Sequence, residues 1–273
     1  MSIVPKGSHL RRPALTVPEH SPVDPARYVQ MLASEALSHR AVGHPYLKTL
    51  AEGAFKDMRW AIADFARQYY GYSIHFPRYL MTVMSRLEDH HHRAALLENL
   101  NEESGSYGPD ELTNLARAGV KPEWVRGVPH SELFKTFSES VGVSFDRLEE
   151  AAHVSCWREM FLQVLAGGHP AEAVGALGLG TENIVRPIYQ HFVAAIRCVG
   201  SISPRDSVFF ALHTAVDDHH QATLARIAES FAATEDGRMG LRKGMIKALG
   251  LRATFWDWLY ERAIDPVRAD AVV

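Results

Sequence analysis

Cysteine is nearly absent from this chain. Cys156 and Cys198 are the two cysteines among 273 residues, which excludes a disulfide-stabilised scaffold. Each lies in an apolar, helix-like stretch without a second cysteine at metal-binding spacing, and free cysteine is among the most buried residue types. The sequence therefore predicts two buried free thiols and a reducing, cytoplasmic setting.

Long apolar runs and an excess of one charge are also missing. No stretch reaches the roughly 20 apolar residues of a membrane span, and no apolar segment follows Lys6, Arg11 and Arg12, so we expect no secretion signal. The formal net charge is -3, and basic residues are interspersed with acidic ones. Nucleic acid and anionic membranes are therefore not expected as partners.

Strand signals are scarce, whereas apolar residues recur at helical spacing along most of the chain. This predicts an all-α fold, a bundle of about eight or more helices. We expect a flexible arm at 1–23, one helical domain at 24–264 and a short tail at 265–273. Glycine and proline are dense between 105 and 129, which predicts an irregular insertion with a short helix near Glu111–Ala118.

The predicted helices cover most of the domain. Asp24 is expected to cap the first one, because Pro25 follows at a favoured helix start. The expected ranges are 25–38, 45–70, 91–103, 130–140, 145–166, 170–177, 182–199, 205–233 and 237–262, with one more beginning near Phe76.

The segment around His213 carries the clearest chemical signal. His213, Asp217 and His220 fall within about 60° of one helix face at 100° per residue. Two imidazoles and a carboxylate on one stripe can bind one side of an iron or manganese centre. Apolar neighbours such as Phe209 and Val216 indicate a buried stripe, whose polar groups need partners. A helix with an ordinary polar face remains the alternative for this segment alone.

Three further segments resemble the haem-oxygenase-like di-iron oxidases and oxygenases, relatives of the TenA and PqqC folds. The resemblance is carried by NLNEESG at 99–105, by HSELF at 130–134 with VGV at 141–143, by LGLGTENIVRPIY at 177–189 and by the spacing of His213, Asp217 and His220. It extends over roughly residues 27–262. The resemblance implies a helical bundle that holds two iron ions and uses O2 as co-substrate.

The resemblance also implies a ligand set. Its members are Glu103, His130, Glu182, His213, Asp217 and His220. Glu182 is the expected bridging carboxylate. One departure is that Glu103 and His130 are separated by the 105–129 insertion, which we interpret as a lid or a substrate-contacting loop. Glu102 is the alternative to Glu103.

What the resemblance implies for activity is oxygenation or oxidation of a small metabolite. N-oxygenation of an amino-acid-derived amine is the first expectation, and oxidative C–C cleavage or desaturation of an amino acid or fatty acid is the alternative. An amino-acid substrate would require a basic side chain near the irons, for which Arg186 and Arg205 are candidates. An external electron donor and a homodimer are compatible with this interpretation.

Other residues of the chain could form a different metal site. Glu88 with His91, and Glu150 with His153, have the spacing of ferritin-like di-iron ligands. The cluster His90–His92 is expected to be exposed, and Glu172 could replace Glu182.

Two further functions stay open. The superfamily includes metal-free TenA-like and PqqC-like enzymes, although neither cysteine lies in a recognisable nucleophile motif. A non-catalytic iron-binding or interaction protein is the last alternative, since a fold does not fix a function.

Overall fold

The computed structural model describes residues 23–146 and 149–267, except for the side chains of residues 216–219. All regular secondary structure in these two ranges is helical, so the all-α prediction is confirmed. The predicted arm lies almost entirely outside the described residues. None of the described helices is long and apolar enough to cross a membrane.

The helices follow one another with short connections. They are α1 (Pro25–Leu37), α2 (Pro45–Ala51), α3 (Met58–Ser73), α4 (Phe76–Met84), α5 (His90–Glu103), α6 (Pro109–Arg117), α7 (Pro122–Val125), α8 (His130–Ser140), α9 (Ala152–Ala166), α10 (Pro170–Val174), a π-helix (Gly175–Glu182), α11 (Asn183–Val199), α12 (Val208–Ala232) and α13 (Glu235–Ile264).

Two predicted helices were drawn too long. The expected helix at 45–70 is broken into α2 and α3, because Gly53 adopts a φ of 66° that right-handed helices exclude. Asp57 then caps α3 by accepting a hydrogen bond from the Trp60 amide at 2.9 Å. The helix expected from Phe145 begins instead at Ala152. Elsewhere the predicted bounds lie within a few residues of the observed ones, and Asp24 caps α1 as expected.

The predicted helix at 170–177 gives way to a π-helix that the sequence pattern did not reveal. The Thr181 hydroxyl donates to the Ala176 carbonyl, five residues earlier, at 3.0 Å. All eight residues of the π-helix are buried. Gly175 and Gly180 let its backbone approach α13 so closely that a Cβ at either position would overlap with α13. This packing holds the π-helix, which ends at Glu182, against α13.

An aromatic core lies beside that end of the π-helix. Phe65 of α3 stacks on Phe192 of α11 with ring centroids 4.0 Å apart and meets Phe134 of α8 edge to face. Trp256 of α13 is fully buried against the same cluster. Truncating one such ring to alanine costs about 3–5 kcal/mol, so the helices around it form a rigid frame.

The insertion is folded and anchored at both ends. Gly127 donates its amide to the Gly105 carbonyl at 2.8 Å, and Gly105 has a φ of 83°. A side chain at Gly105 would overlap with the backbone of Val128. Between these anchors the insertion forms α6 and α7, and α6 packs against α12.

The cysteine prediction was wrong on burial. Cys156 and Cys198 are both free and both exposed. Helical periodicity placed each on a helix but did not show which face of that helix meets the core.

Candidate metal centre

Three candidate ligands lie at helix ends and two lie within α12. Glu103 is the last residue of α5, His130 the first of α8 and Glu182 the last of the π-helix. His213 and His220 lie on α12, seven positions and therefore about two turns apart. Side chains from separate elements of the bundle thus converge on one place.

Three of these residues form a compact cluster. Glu103, His130 and His213 each offer a ligand atom, and these atoms lie within 4.8 Å of one another. His130 Nδ1 is 3.0 Å from Glu103 Oε1, yet the nitrogen is buried and makes no hydrogen bond of acceptable geometry. A carboxylate oxygen and an imidazole nitrogen at this separation can bind a cation between them.

The outward-facing nitrogens of the two imidazoles are engaged. His130 Nε2 lies 2.6 Å from the Tyr107 hydroxyl. His213 Nδ1 lies 2.7 Å from the carbonyl oxygen of Phe209, one turn earlier on α12. A hydrogen bond to a carbonyl requires the proton on Nδ1, which leaves Nε2 of His213 as the free ligand atom.

A second carboxylate and imidazole pair adjoins the cluster. Glu102 Oε2 lies 2.8 Å from His220 Nε2, and both side chains are buried. Burial alone would lower the pKa of His220, but the hydrogen bond with Glu102 and the charge of Glu182 raise it to about 9. Glu102, considered from sequence as an alternative to Glu103, is therefore an additional member of the site.

The pKa values of the central residues reflect burial. Burial raises the pKa of Glu182 to about 7, against the opposing charge of His220. Burial together with the neighbouring His130 lowers the pKa of His213 to about 3. Burial also works against ionisation of Glu103, yet His130 holds the pKa of this carboxyl below its ordinary value. Perturbed groups concentrated in one place mark a functional site.

A cavity of about 30 Å³ lies between these residues. Its lining combines the candidate ligands with a hydroxyl-rich wall formed by Tyr69, Tyr72, Ser73, Thr181 and Tyr189. This volume has room for about two water-sized species, so it suits metal ions and a diatomic gas. Ser73 and Phe76 are half-buried and line the cavity where α3 turns into α4.

The sixth predicted ligand is only partly described. Asp217 lies within α12, but its side chain is outside the described residues. Its predicted role stays a prediction.

The competing metal sites receive no support from the described residues. Glu172 is bound by Lys243 at 2.9 Å and by Lys247, which accounts for its burial without a metal. Glu150 pairs with Arg158, and His153 stacks on Trp258. The His90–His92 cluster begins α5, where His90 and His91 are exposed.

Two arginines proposed from sequence lie at the surface. Arg186 and Arg205 are both exposed. No sequence pattern singles out Arg252. Its guanidinium is buried beside the cavity wall, 3.5 Å from the Tyr69 hydroxyl and 3.4 Å from that of Tyr72. Tyr107 was missed because nothing in a glycine-rich loop predicts contact with a ligand.

Comparison with known proteins gives the family of this chain. A sequence model described as iron-containing redox enzyme matches residues 63–253. The chain belongs to this family. Within it, Glu103, His130, Glu182, His213 and His220 all fall inside the matched range.

Two relatives carry the name 4-aminobenzoate synthase. The protein from Chlamydia muridarum is 26% identical over 182 residues, which cover 65% of this chain and 67% of that protein. The protein from Chlamydia trachomatis is 27% identical over 161 residues, covering 57% and 60% respectively. This member of the iron-containing family therefore aligns with about two thirds of the length of these relatives.

Solved structures share the fold. A CADD-like protein of unknown function from Nostoc punctiforme has a TM-score of 0.68 and 17% identity, with 88% of this chain and 99% of that chain covered. A haem-oxygenase-like domain from Shewanella denitrificans has a TM-score of 0.62 and 14% identity, covering 86% and 90%. A TenA homologue from Pseudomonas syringae scores 0.65 at 13% identity, covering 87% and 93%. The haem-oxygenase-like fold expected from sequence is thereby confirmed.

Proposed function

We propose that this iron-containing redox enzyme is a non-haem di-iron oxygenase that activates O2 against a small metabolite. The cluster of Glu103, His130 and His213 carries the proposal, because its ligand atoms converge within 4.8 Å in a buried place. Glu102 and His220 form the second half of the site, and Glu182 lines the cavity between the helices.

The residues present fit iron. Imidazole and carboxylate ligands of intermediate hardness suit ferrous iron better than thiolates or carbonyls would. His130 Nδ1 is buried without a hydrogen-bond partner, and a metal ion supplies the partner that this nitrogen lacks. When bound, two ferrous ions would supply O2 binding and the two electrons of one turnover.

Other groups of the protein orient the candidate ligands. Hydrogen bonds to Tyr107 and to the Phe209 carbonyl orient His130 and His213. Glu182 is the proposed bridging carboxylate. The cavity has a volume of about 30 Å³ and so holds few water molecules, and a poorly hydrated site strengthens the electrostatic contacts within it.

The first substrate class we propose is an amino-acid-derived amine that is N-oxygenated. The reaction balances as amine, O2, two electrons and two protons giving hydroxylamine and water, so turnover beyond the first requires an external electron donor. The name of the relatives refers to an aromatic amine product, which supports amine chemistry in this family. Oxidative C–C cleavage or desaturation by the same centre is the alternative reaction.

The setting we propose is a reducing one. Two exposed free thiols and a ferrous centre both persist where disulfide formation and iron oxidation are disfavoured. A cytoplasmic location is therefore part of the proposal.

Anaerobic titration of the metal-free protein with Fe(II), followed by rapid mixing with O2, tests the proposal. We expect saturation near two irons per chain and a transient visible absorption that a true substrate makes decay faster. Incubation with candidate amines and isotopically labelled O2 should then place the label in the product.

Absence of iron binding would refute the di-iron assignment and favour a metal-free enzyme of the TenA type. Binding that is unaffected in a His213→Ala, His220→Ala double variant would show that iron binds elsewhere. A labelled carbonyl product, or an alkene that carries no label, instead of a hydroxylamine would replace N-oxygenation by the alternative reaction.

A further inference from the structure

Tyr107 is the residue of the insertion that reaches the candidate metal centre. Its hydroxyl lies 2.6 Å from His130 Nε2, and the two rings are nearly parallel, with an interplanar angle of 24°. The opposite nitrogen, His130 Nδ1, faces Glu103 at 3.0 Å. The imidazole of His130 is therefore held between the insertion on one side and α5 on the other.

The backbone around Tyr107 is fixed on both sides. Ser106 donates its amide to the Asn101 carbonyl at 2.9 Å, and Gly105 accepts from Gly127 at 2.8 Å. On the other side, Gly108 donates to Glu111 Oε2 at 2.5 Å. These hydrogen bonds hold the backbone on both sides of Tyr107. The backbone of the insertion therefore positions the Tyr107 side chain against His130.

We propose that Tyr107 is a positioning residue that orients the His130 ring, so that Nδ1 faces Glu103 and the place where a metal ion would bind. This inference rests on the proposed metal-binding function and deepens it. A histidine ligand needs a partner on its non-ligating nitrogen, and loss of such partners typically costs 10–100-fold in metal affinity.

A phenol is well suited to this position. Burial raises the pKa of Tyr107, and the nearby carboxylates Glu103 and Glu102 raise it further, so the side chain stays a neutral hydroxyl. A neutral oxygen can accept the Nε2–H bond without placing another negative charge beside the carboxylates. The insertion thus contributes to ligand geometry, whatever else it does at the surface.

The test compares Tyr107→Phe with Tyr28→Phe. The first variant keeps the ring and removes the hydroxyl from His130. The control removes a hydroxyl of the same kind, which donates to the Arg238 carbonyl at 3.1 Å in α13. Anaerobic titration with Co(II), followed by its visible spectrum, reports affinity and coordination geometry without any turnover.

We expect Tyr107→Phe to weaken binding of one Co(II) by about 10-fold or more and to alter its spectrum, while Tyr28→Phe matches the wild type. Equal affinity and an unchanged spectrum in Tyr107→Phe would overturn the proposal.

A second readout needs no metal. Nitrogen NMR of the metal-free protein labelled at histidine, with the His130 signals assigned by their loss in His130→Gln, reports the environment of both ring nitrogens. The wild type and Tyr28→Phe should show the same His130 signals, and Tyr107→Phe should shift or broaden them, because the ring loses its contact at Nε2. Identical spectra would refute the positioning role, and failure of the wild type to bind Co(II) would instead refute the proposed function.

Discussion

Glu103 Oε1 and His130 Nδ1 lie 3.0 Å apart, although the two residues flank the whole 105–129 insertion. The insertion begins and ends at one point, because Gly105 and Gly127 are hydrogen-bonded to each other. The last residue of α5 and the first of α8 are therefore neighbours, as they would be if the chain between them were short. The insertion lengthens the chain between Glu103 and His130 and leaves these two candidate ligands next to each other.

Replacing Glu182 should remove metal binding while leaving the fold in place. Glu182→Gln keeps the size of the side chain, and we expect it to lose binding of at least one Fe(II) and the reaction with O2, because an amide is a poor bridging ligand. Helical content by circular dichroism should stay nearly unchanged. Glu172→Gln is the matched control, since this other buried glutamate pairs with Lys243 and Lys247; it should bind iron normally. Full activity in Glu182→Gln would contradict the assignment.

Metal binding should release protons and strengthen with pH. Glu182, with a pKa of about 7, and His220, with a pKa of about 9, must both be deprotonated to act as ligands. Apparent affinity for Zn(II), a redox-inert probe, should therefore rise as pH increases through this range. Calorimetry in buffers of different ionisation enthalpy measures the protons released. Affinity that is independent of pH would exclude both residues as ligands.

The metal-free protein should show the opposite trend. The pKa values of Glu182 and His220 both lie above their ordinary values. Between the ordinary and the raised pKa of each residue, the folded state therefore binds more protons than the unfolded state. His213, whose pKa is lowered to about 3, contributes the opposite slope below its ordinary value of 6.5. The net fall in stability is therefore expected between about pH 6.5 and about pH 9, as Glu182 and His220 lose their protons in the folded state. The difference between the unfolding temperatures with and without Zn(II) should increase as pH increases. A difference that is the same at every pH would contradict the coupling between metal binding and proton release.

Close packing of α13 on α10 and the π-helix predicts a contrast between two glycines of α13. A Cβ at Gly244 would overlap with the Glu172 carbonyl, whereas one at Gly250 would meet open space. Gly244→Ala should cost about 3 kcal/mol of unfolding free energy, and Gly250→Ala should gain up to about 1 kcal/mol from helix propensity. Denaturant unfolding measures both, and similar values for the two variants would show that the helices do not pack this closely.

Arg252 is expected to be intolerant of lysine. Its guanidinium lies 5.4 Å from the ring centroid of Tyr72 and 5.5 Å from that of Trp157, and lysine reproduces neither the planar stacking nor both hydrogen bonds. Arg252→Lys should lose about 2 kcal/mol of stability. Arg242→Lys, at an exposed ion pair with Glu35, should change stability by less than about 1 kcal/mol. Equal effects would show that stacking of Arg252 contributes little.

Local sequence signals predicted elements whose physical cause is local. Asp24 before Pro25 marked the start of α1 because capping and proline geometry involve adjacent residues. The break at Gly53 was missed, since glycine within an apolar periodic segment is also tolerated in helices. The sequence pattern did not predict the π-helix, because the π-helix depends on contacts between residues far apart in the chain. Its glycines Gly175 and Gly180 allow close packing against α13.

The sequence alone determined the helical class of this protein, the stripe of His213 and His220 on one helix and, through the family resemblance, the order of the candidate ligands. These follow from periodicity and motif, which are properties of the chain. Only the tertiary structure decided that Glu102 pairs with His220, that Tyr107 contacts His130 and that Arg252 is buried beside the cavity wall. Each of these contacts joins residues on separate elements, and their meeting depends on how whole helices pack.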